Sequence, residues 1–150
     1  MLIYREILPN ESVAKECARM IQEYSWGTDY PVNAWSELKE SDHIIGCFDD
    51  EKLVGLGSVT CIASPDKVDN GLPWLADAVV LSEYRRRGIY KSLYNMRIEH
   101  FKKNNAQIIL TCTDNPVIEN FLLQNGWLLR RTTKDESGGD CKVFQINPQT

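Results

Sequence analysis

Residues 73–112 read PWLADAVVLSEYRRRGIYKSLYNMRIEHFKKNNAQIILTC. Leu75 to Leu81 is almost wholly apolar, the pattern of a central strand covered on both faces. From Gly88 onward Ile89, Leu93 and Met96 share a broad arc with Tyr90, Tyr94 and Phe101, while Lys91, Asn95, Glu99 and Lys102 fall opposite. That spacing predicts an amphipathic helix. After Asn104-Asn105, the run Gln107 to Thr113 reads as a second buried strand. Strand, helix and strand in this order form a crossover, and its two strands should run parallel.

The turn from Leu81 into the helix near Gly88 is where chemistry can be argued. Arg85, Arg86, Arg87 and Lys91 place four cations within seven residues of a chain whose net charge is −4. A solvated helix start would explain them, but helix N-termini favour acidic side chains, and cations there oppose the macrodipole unless an anion arrives. The first amides of a helix lack intrahelical partners and converge on one point, which suits a diphosphate. Gly88 can take backbone angles closed to other residues, and arginine or lysine adds charge-assisted hydrogen bonds to phosphate oxygens. An R-x-x-G loop alone is weak evidence; the apolar strand before it and the amphipathic helix behind it raise its value. Neither G-x-x-x-x-G-K-[ST] nor a full G-x-G-x-x-G is present.

Outward from this segment, residues 2–8 alternate loosely and stop at Pro9, a first strand. Asn10 is positioned to cap a helix over 11–24 whose buried face holds Val13, Cys17, Met20, Ile21 and Tyr24. Tyr24 to Trp35 is broken and aromatic, either a lid over a pocket or a hydrophobic satellite cluster, with a short helix near 32–40. His43 to Phe48 and Leu53 to Ile62 should pair antiparallel across the polar turn 49–52. Residues 63–73, with Pro65, Asn70, Gly71 and Pro73, read as an exposed connection. A helix over Val117 to Gln124, stopped by Asn125-Gly126, precedes two strands, Trp127 to Thr132 and Cys141 to Ile146.

With these segments in place, the chain resembles the GNAT superfamily of acyl-CoA-dependent N-acyltransferases, most clearly from Trp74 to Trp127. The family's R/Q-x-x-G-x-G/A loop is similar to Arg85-Arg86-Arg87-Gly88-Ile89-Tyr90, preceded by Ser82-Glu83-Tyr84 in place of P-E-Y. Asn115, followed at eleven residues by Gly126-Trp127, resembles the family's N…G-F segment, and Cys47 to Gly57 its early strand pair. The resemblance implies an α/β (α+β) fold: a mixed, mostly antiparallel twisted sheet of about six to seven strands, about four helices and a central β-α-β crossover. Residues 1–150 would form one such domain.

The same resemblance implies roles. The main chain of Val79, Val80 and Leu81 would pair with the pantetheine arm of acetyl-CoA, in a gap where the fourth and fifth strands splay apart. Arg85 with the loop amides of Arg86, Arg87, Gly88, Ile89, Tyr90 and Lys91 would hold the diphosphate, and Asn115 would touch the pantetheine. The Val80 N–H would polarise the thioester carbonyl as charge develops on its oxygen. Two departures stand out. Tyr90 occupies the usual second Gly or Ala, and Leu122 lies where many members carry a tyrosine that protonates the departing thiolate; Tyr90 or Tyr94 could substitute.

An alkylamine acceptor with a pKa of about 10 arrives protonated and must lose that proton before it attacks. Asp77, a carboxylate inside an apolar strand, is the candidate base; its structural alternative is a carboxylate satisfied by a neighbour. Trp26, Asp29 and Tyr30 are candidate acceptor contacts. The expected activity is acetyl transfer from acetyl-CoA, the cosubstrate, to a primary amine by direct attack, without a metal. The alternatives are a GNAT-fold domain that binds or senses acyl-CoA without turnover, and an interaction module that uses Arg85 to Arg87 against a macromolecular partner.

Composition narrows the remainder. A chain of 150 residues that is 43% hydrophobic and 25% charged can bury one core, and no apolar run approaches the roughly 18 residues needed to cross a bilayer. Neither a membrane nor nucleic acid is an expected partner, given the acidic balance. The start Met1-Leu2-Ile3-Tyr4-Arg5-Glu6 lacks the pattern of a secretion signal, so the cytoplasm is the expected location. Five cysteines with no C-x-x-C spacing fit neither a disulfide framework nor a zinc site. Cys112 is not assigned a nucleophilic role because His43 and His100 lie in unrelated contexts. A homodimer is compatible with all of this.

Overall fold

Alternation and turn chemistry set the local elements, and the computed structural model, which describes residues 1–150, assembles them into one sheet. In chain order they are β1 (Leu2–Glu6), α1 (Ser12–Ile21), α2 (Ala34–Leu38), β2 (His43–Asp49), β3 (Lys52–Thr60) and β4 (Trp74–Val80). α3 (Ile89–Lys103), β5 (Ile109–Thr113), α4 (Pro116–Gln124), β6 (Leu128–Lys134) and β7 (Asp140–Ile146) follow. The seven strands lie in the order β1-β2-β3-β4-β5-β7-β6, and every neighbouring pair is antiparallel except β4 and β5. The predicted crossover and its parallel strands are therefore present. No helix is long and apolar enough to cross a membrane.

Helices cover both faces of the sheet. α1 and α2 bury Cys17, Met20, Ile21 and Leu38 against Ile7, Ile44, Leu56 and Val79. α3 and α4 bury Tyr94, Phe101 and Leu122 against Val59, Leu75, Ile109 and Phe144 on the other. Each large apolar side chain so removed from water contributes roughly 1.5–3 kcal/mol.

Four local expectations need correction. Asn10 does not cap α1: Glu11 holds that position, and its Oε2 accepts from the Leu8 amide at 2.7 Å. α1 gives way at Gln22 to a wider π-helical turn through Trp26, which leaves Tyr24 exposed rather than buried. On α3, Met96 faces outward and Arg97, which apolar periodicity passes over, is 2% exposed. The connection over 63–73 is not a loose exposed loop. Asp66 and Asp69 bind Arg131, and Asp69 also binds Arg130, so β6 holds this segment down.

Two irregularities at β4 position the site. Gly57 opposes Ala78 but Val59 opposes Leu75, so β4 carries one extra residue around Ala76 and Asp77. This bulge turns the strand over: Leu75 packs toward α3 and α4, whereas Val79, at an even spacing from it, packs toward α1 and α2. The second is the meeting with β5, where only Trp74 and Leu110 pair. Thr111 Oγ1 donates to the Leu75 carbonyl at 3.0 Å just beyond that pair, and from there the strands part.

Candidate active site

Beyond β4 the chain forms a short 3-10 turn, Ser82–Tyr84, and enters α3 through Gly88. Arg86 at φ 65° and Gly88 at φ 79° both lie in the left-handed region, which reverses the chain sharply. A Cβ on Gly88 would meet nothing within 4 Å, so glycine is needed there for its backbone angles rather than for space. No turn or loop hydrogen bond uses the amides of residues 86–91, and the first amides of α3 lie beyond the reach of any helical carbonyl. Arg85 folds back, donating from Nε to the Val80 carbonyl at 3.2 Å. Arg87 lies over the Tyr84 ring, 4.8 Å from its centroid.

The gap between β4 and β5 leads away from this turn. The Leu81 amide donates to Val54 on β3. Alternation along an antiparallel pair then sends the Val80 and Ala78 amides to the opposite edge, toward the gap. A cavity of about 820 Å³ opens there, lined by β4, by β5 and its extension to Asn115, by Phe121 and Leu122 of α4, and by Trp26, Tyr30 and Glu37.

One end of this cavity is acidic and aromatic. Asp77, aimed by the bulge, accepts from Trp26 Nε1 at 2.8 Å. Loss of hydration lifts its carboxyl to about 6, although the Trp26 bond favours the charged form. Glu37 of α2 is lifted to about 7 by desolvation and by the charges of Asp77 and Glu136. Glu136, in the turn between β6 and β7, accepts from Tyr30 Oη at 2.6 Å. Burial, with that bond, pushes the Tyr30 phenol well above its ordinary range. None of these three carboxylates has a cationic side chain within 4.0 Å. Cys112 and Cys141 also line the cavity, and the neighbouring Cys141 thiol raises Cys112 well above the usual thiol range, although Cys112 itself is exposed.

The wall formed by α3 and α4 is apolar apart from three groups. Tyr90 packs edge-on to Phe121 with centroids 5.4 Å apart, its hydroxyl has no protein partner, and burial raises its pKa. Tyr94 Oη accepts from Trp127 Nε1 at 2.6 Å. Arg97 is the third. Leu122 is 2% exposed and brings no hydroxyl.

A family model described as the Acetyltransferase (GNAT) family matches residues 7–127. The chain belongs to the GNAT family. Solved structures agree in fold. The ribosomal-protein-S18-alanine N-acetyltransferase of Escherichia coli matches at a TM-score of 0.74 with 10% identity, over 100% of this chain and 96% of that one. A GNAT-family acetyltransferase from Streptococcus pneumoniae matches at 0.70 with 15% identity, over 98% and 99%. A chain of the NatC complex, solved with Gag peptide and CoA, matches at 0.71 with 18% identity, over 97% and 98%. Among curated proteins, none matches this sequence. Family membership supports acetyl transfer as the general activity.

Within this GNAT fold, Asp77, Val79, Val80, Arg85, Tyr90, Asn115, Trp26 and Tyr30 all line the one cavity. Arg86, Arg87, Gly88, Ile89 and Lys91 form the turn at its end, and Leu81 lies between the two. Asp29 is exposed and does not line the cavity. Asn115 has a job that the family motif does not reveal: its Oδ1 accepts from the Val117 amide at 2.9 Å and caps α4, and its Nδ2 has no protein partner. Glu37, Glu136 and Arg97 were missed. The first two carry no local signal, since charged residues in a short helix and a hairpin turn read as solvated. A cation inside an apolar helical arc was the available clue for Arg97.

Proposed function

We propose that the chain is an acetyl-CoA-dependent N-acetyltransferase acting on a primary amine by direct attack. The observation that carries this reading is the continuity of the partnerless amides at 86–91 with the open edge of β4. Together they match an anion followed by an extended arm bearing amide groups, which is the shape of coenzyme A. The diphosphate would rest on the amides of Arg86 to Lys91, with Arg85 beside it. The pantetheine would run along Val79 to Leu81, with Asn115 Nδ2 facing it, and bring the thioester to the bulge. The NatC complex, one chain of which is similar in fold, was solved with CoA, which supports coenzyme A as the ligand class.

At the bulge the Val80 amide would donate to the thioester oxygen as it gains negative charge, a contribution of about 3–4 kcal/mol in comparable sites. The acceptor enters at the acidic end, where Glu37, Asp77 and Glu136 favour an amine that arrives as its cation. Asp77 accepts a proton from the ammonium, directly or through one water, and the free amine attacks the carbonyl carbon. The N–C bond forms, the C–S bond breaks, and the electron pair leaves on sulfur. Tyr90, whose hydroxyl is free, is the available donor to that sulfur. The acidic lining argues against nucleic acid as acceptor.

A non-catalytic acyl-CoA sensor is the second reading, favoured by the apolar Leu122. One experiment separates the two: calorimetric titration with acetyl-CoA, then thiol release measured across a panel of primary amines. Binding at micromolar to millimolar concentration with release for at least one amine supports the enzyme. Binding with no release for any amine supports the sensor, and no heat of binding refutes both.

A further inference from the structure

α3 buries a charge that no carboxylate contacts, the Asp77 carboxylate acting on it only from beyond 4.0 Å. Arg97 is 2% exposed, and β3 makes room for it at Gly57, where a Cβ would stand 2.8 Å from Arg97 Nε. Nε donates to the Leu93 carbonyl at 3.3 Å, and Nη1 to Ser58 at 3.4 Å and Ala76 at 3.2 Å. These bonds sit at or beyond the long end of good N–H···O geometry. No carboxylate oxygen lies within 4.0 Å, and Nη2 makes no hydrogen bond in the protein. Ser58 Oγ is the one buried side-chain polar atom sealed off without a partner, so Nη2, equally unpartnered, must be reached from the cavity that Arg97 lines.

Packing does not require such a residue. Replacing a buried charge with an apolar side chain of similar volume is often neutral or stabilising, so a guanidinium that no carboxylate contacts calls for another reason. Its position supplies one. Arg97 donates to the Ala76 carbonyl at the bulge and lines the same cavity as the open edge at Ala78 and Val80 and as apolar Phe121 and Leu122. The other cation on the cavity, Arg85, lies at the opposite end of that edge, tied to Val80.

We propose that Arg97 stabilises the coenzyme A thiolate as the thioester C–S bond breaks, in place of the hydroxyl that α4 lacks at Leu122. The proposal rests on the acetyl-CoA reading above. The acceptor nitrogen bonds to the acetyl carbon, the C–S electron pair stays on sulfur, and Nη2 donates to the resulting anion. Arg97 keeps its own proton throughout, because a guanidinium does not deprotonate in proteins. The thiolate is later protonated by Tyr90 or solvent. Asp77 of β4 and Tyr90 and Tyr94 of α3 act on Arg97 directly, and Cys112, Asp114, Glu37, Asp135 and Glu136 line the same cavity. Carboxylates there raise a nearby thiol pKa, so a lowered one reports the cation.

The test is the thiol pKa of bound coenzyme A, read from thiolate absorbance during a pH titration of the wild-type complex and of Arg97→Met and Arg97→Lys. The reference is the thiol of coenzyme A free in the same buffer, titrated in the same way. The wild type should lower this by about one unit, Arg97→Met should return it to the free value or above, and Arg97→Lys should retain part of the shift. For Arg97→Met, kcat should fall about 100-fold while KM for acetyl-CoA stays within about threefold. A wild-type complex whose thiol titrates at the free value overturns the proposal and needs no variant to fold. An Arg97→Met complex with the wild-type thiol pKa overturns it too. Failure of coenzyme A to bind the wild type would overturn the acetyl-CoA reading itself, whereas binding with an unshifted thiol overturns this inference alone.

Discussion

Replacing Asp77 with asparagine should make the protein more stable and less active, with both effects depending on pH. Folding lifts the carboxyl from 3.8 to about 6, so the folded state holds this proton more tightly than the unfolded chain does. The stability that this group contributes is thus present in full below pH 3.8 and is lost as the pH climbs through about 6. A rise of about two units corresponds to about 3 kcal/mol at most. Partial access of water through the cavity lowers this to roughly 1.5–3 kcal/mol, or about 3–10 °C in Tm for a chain of this size. Asparagine keeps an oxygen for the Trp26 Nε1 bond, so the substitution removes the charge without orphaning the indole. Thermal unfolding from pH 4 to 8 should show Asp77→Asn melting above the wild type at pH 8, with the gap closing toward pH 4. In the amine assay, kcat/KM should fall about 10²- to 10⁴-fold, and the limb rising through pH 6 should vanish. A variant that melts at or below the wild type at pH 8 refutes the burial argument. One that keeps both its rate and the limb near pH 6 places the base elsewhere, with Glu37 next in line.

Two further outcomes follow from the same contacts. Trp26→Phe removes the hydrogen bond that favours ionised Asp77, so the acidic limb of the pH–rate profile should move up by about one unit; an unmoved limb would show that the indole does not tune this carboxylate. Arg131→Met breaks the contacts to Asp66 and Asp69 that hold residues 63–72 on β6, and should cost about 1–3 kcal/mol in urea unfolding with faster amide exchange across that segment. Unchanged exchange there would mean that the ion pairs do not anchor the loop.

Local patterning decided much of this molecule. The β-rich apolar runs of β2, β3 and β4, buried on both faces, and the helical arc of α3 made element type and the crossover legible from residue order. The turn over Arg85 to Lys91 was legible as well, because its unpaired backbone amides and left-handed Gly88 belong to one contiguous segment. The cavity's two ends differ in this respect. Arg85 to Lys91 are neighbours in sequence, whereas Glu37, Asp77 and Glu136 come from α2, β4 and a hairpin turn, and no local rule brings them together.

What residue order alone determined about this protein was its family, its strand and helix content, and the turn whose backbone amides are left unpaired. Tertiary structure decided the insertion of β7 between β5 and β6, the bulge that aims Asp77, and the burial of Arg97 beneath it. Secondary structure and backbone anion sites arise from forces acting within a few residues. The pKa of a carboxylate and the exposure of a guanidinium depend on which distant groups exclude water from them, and only the folded chain defines those.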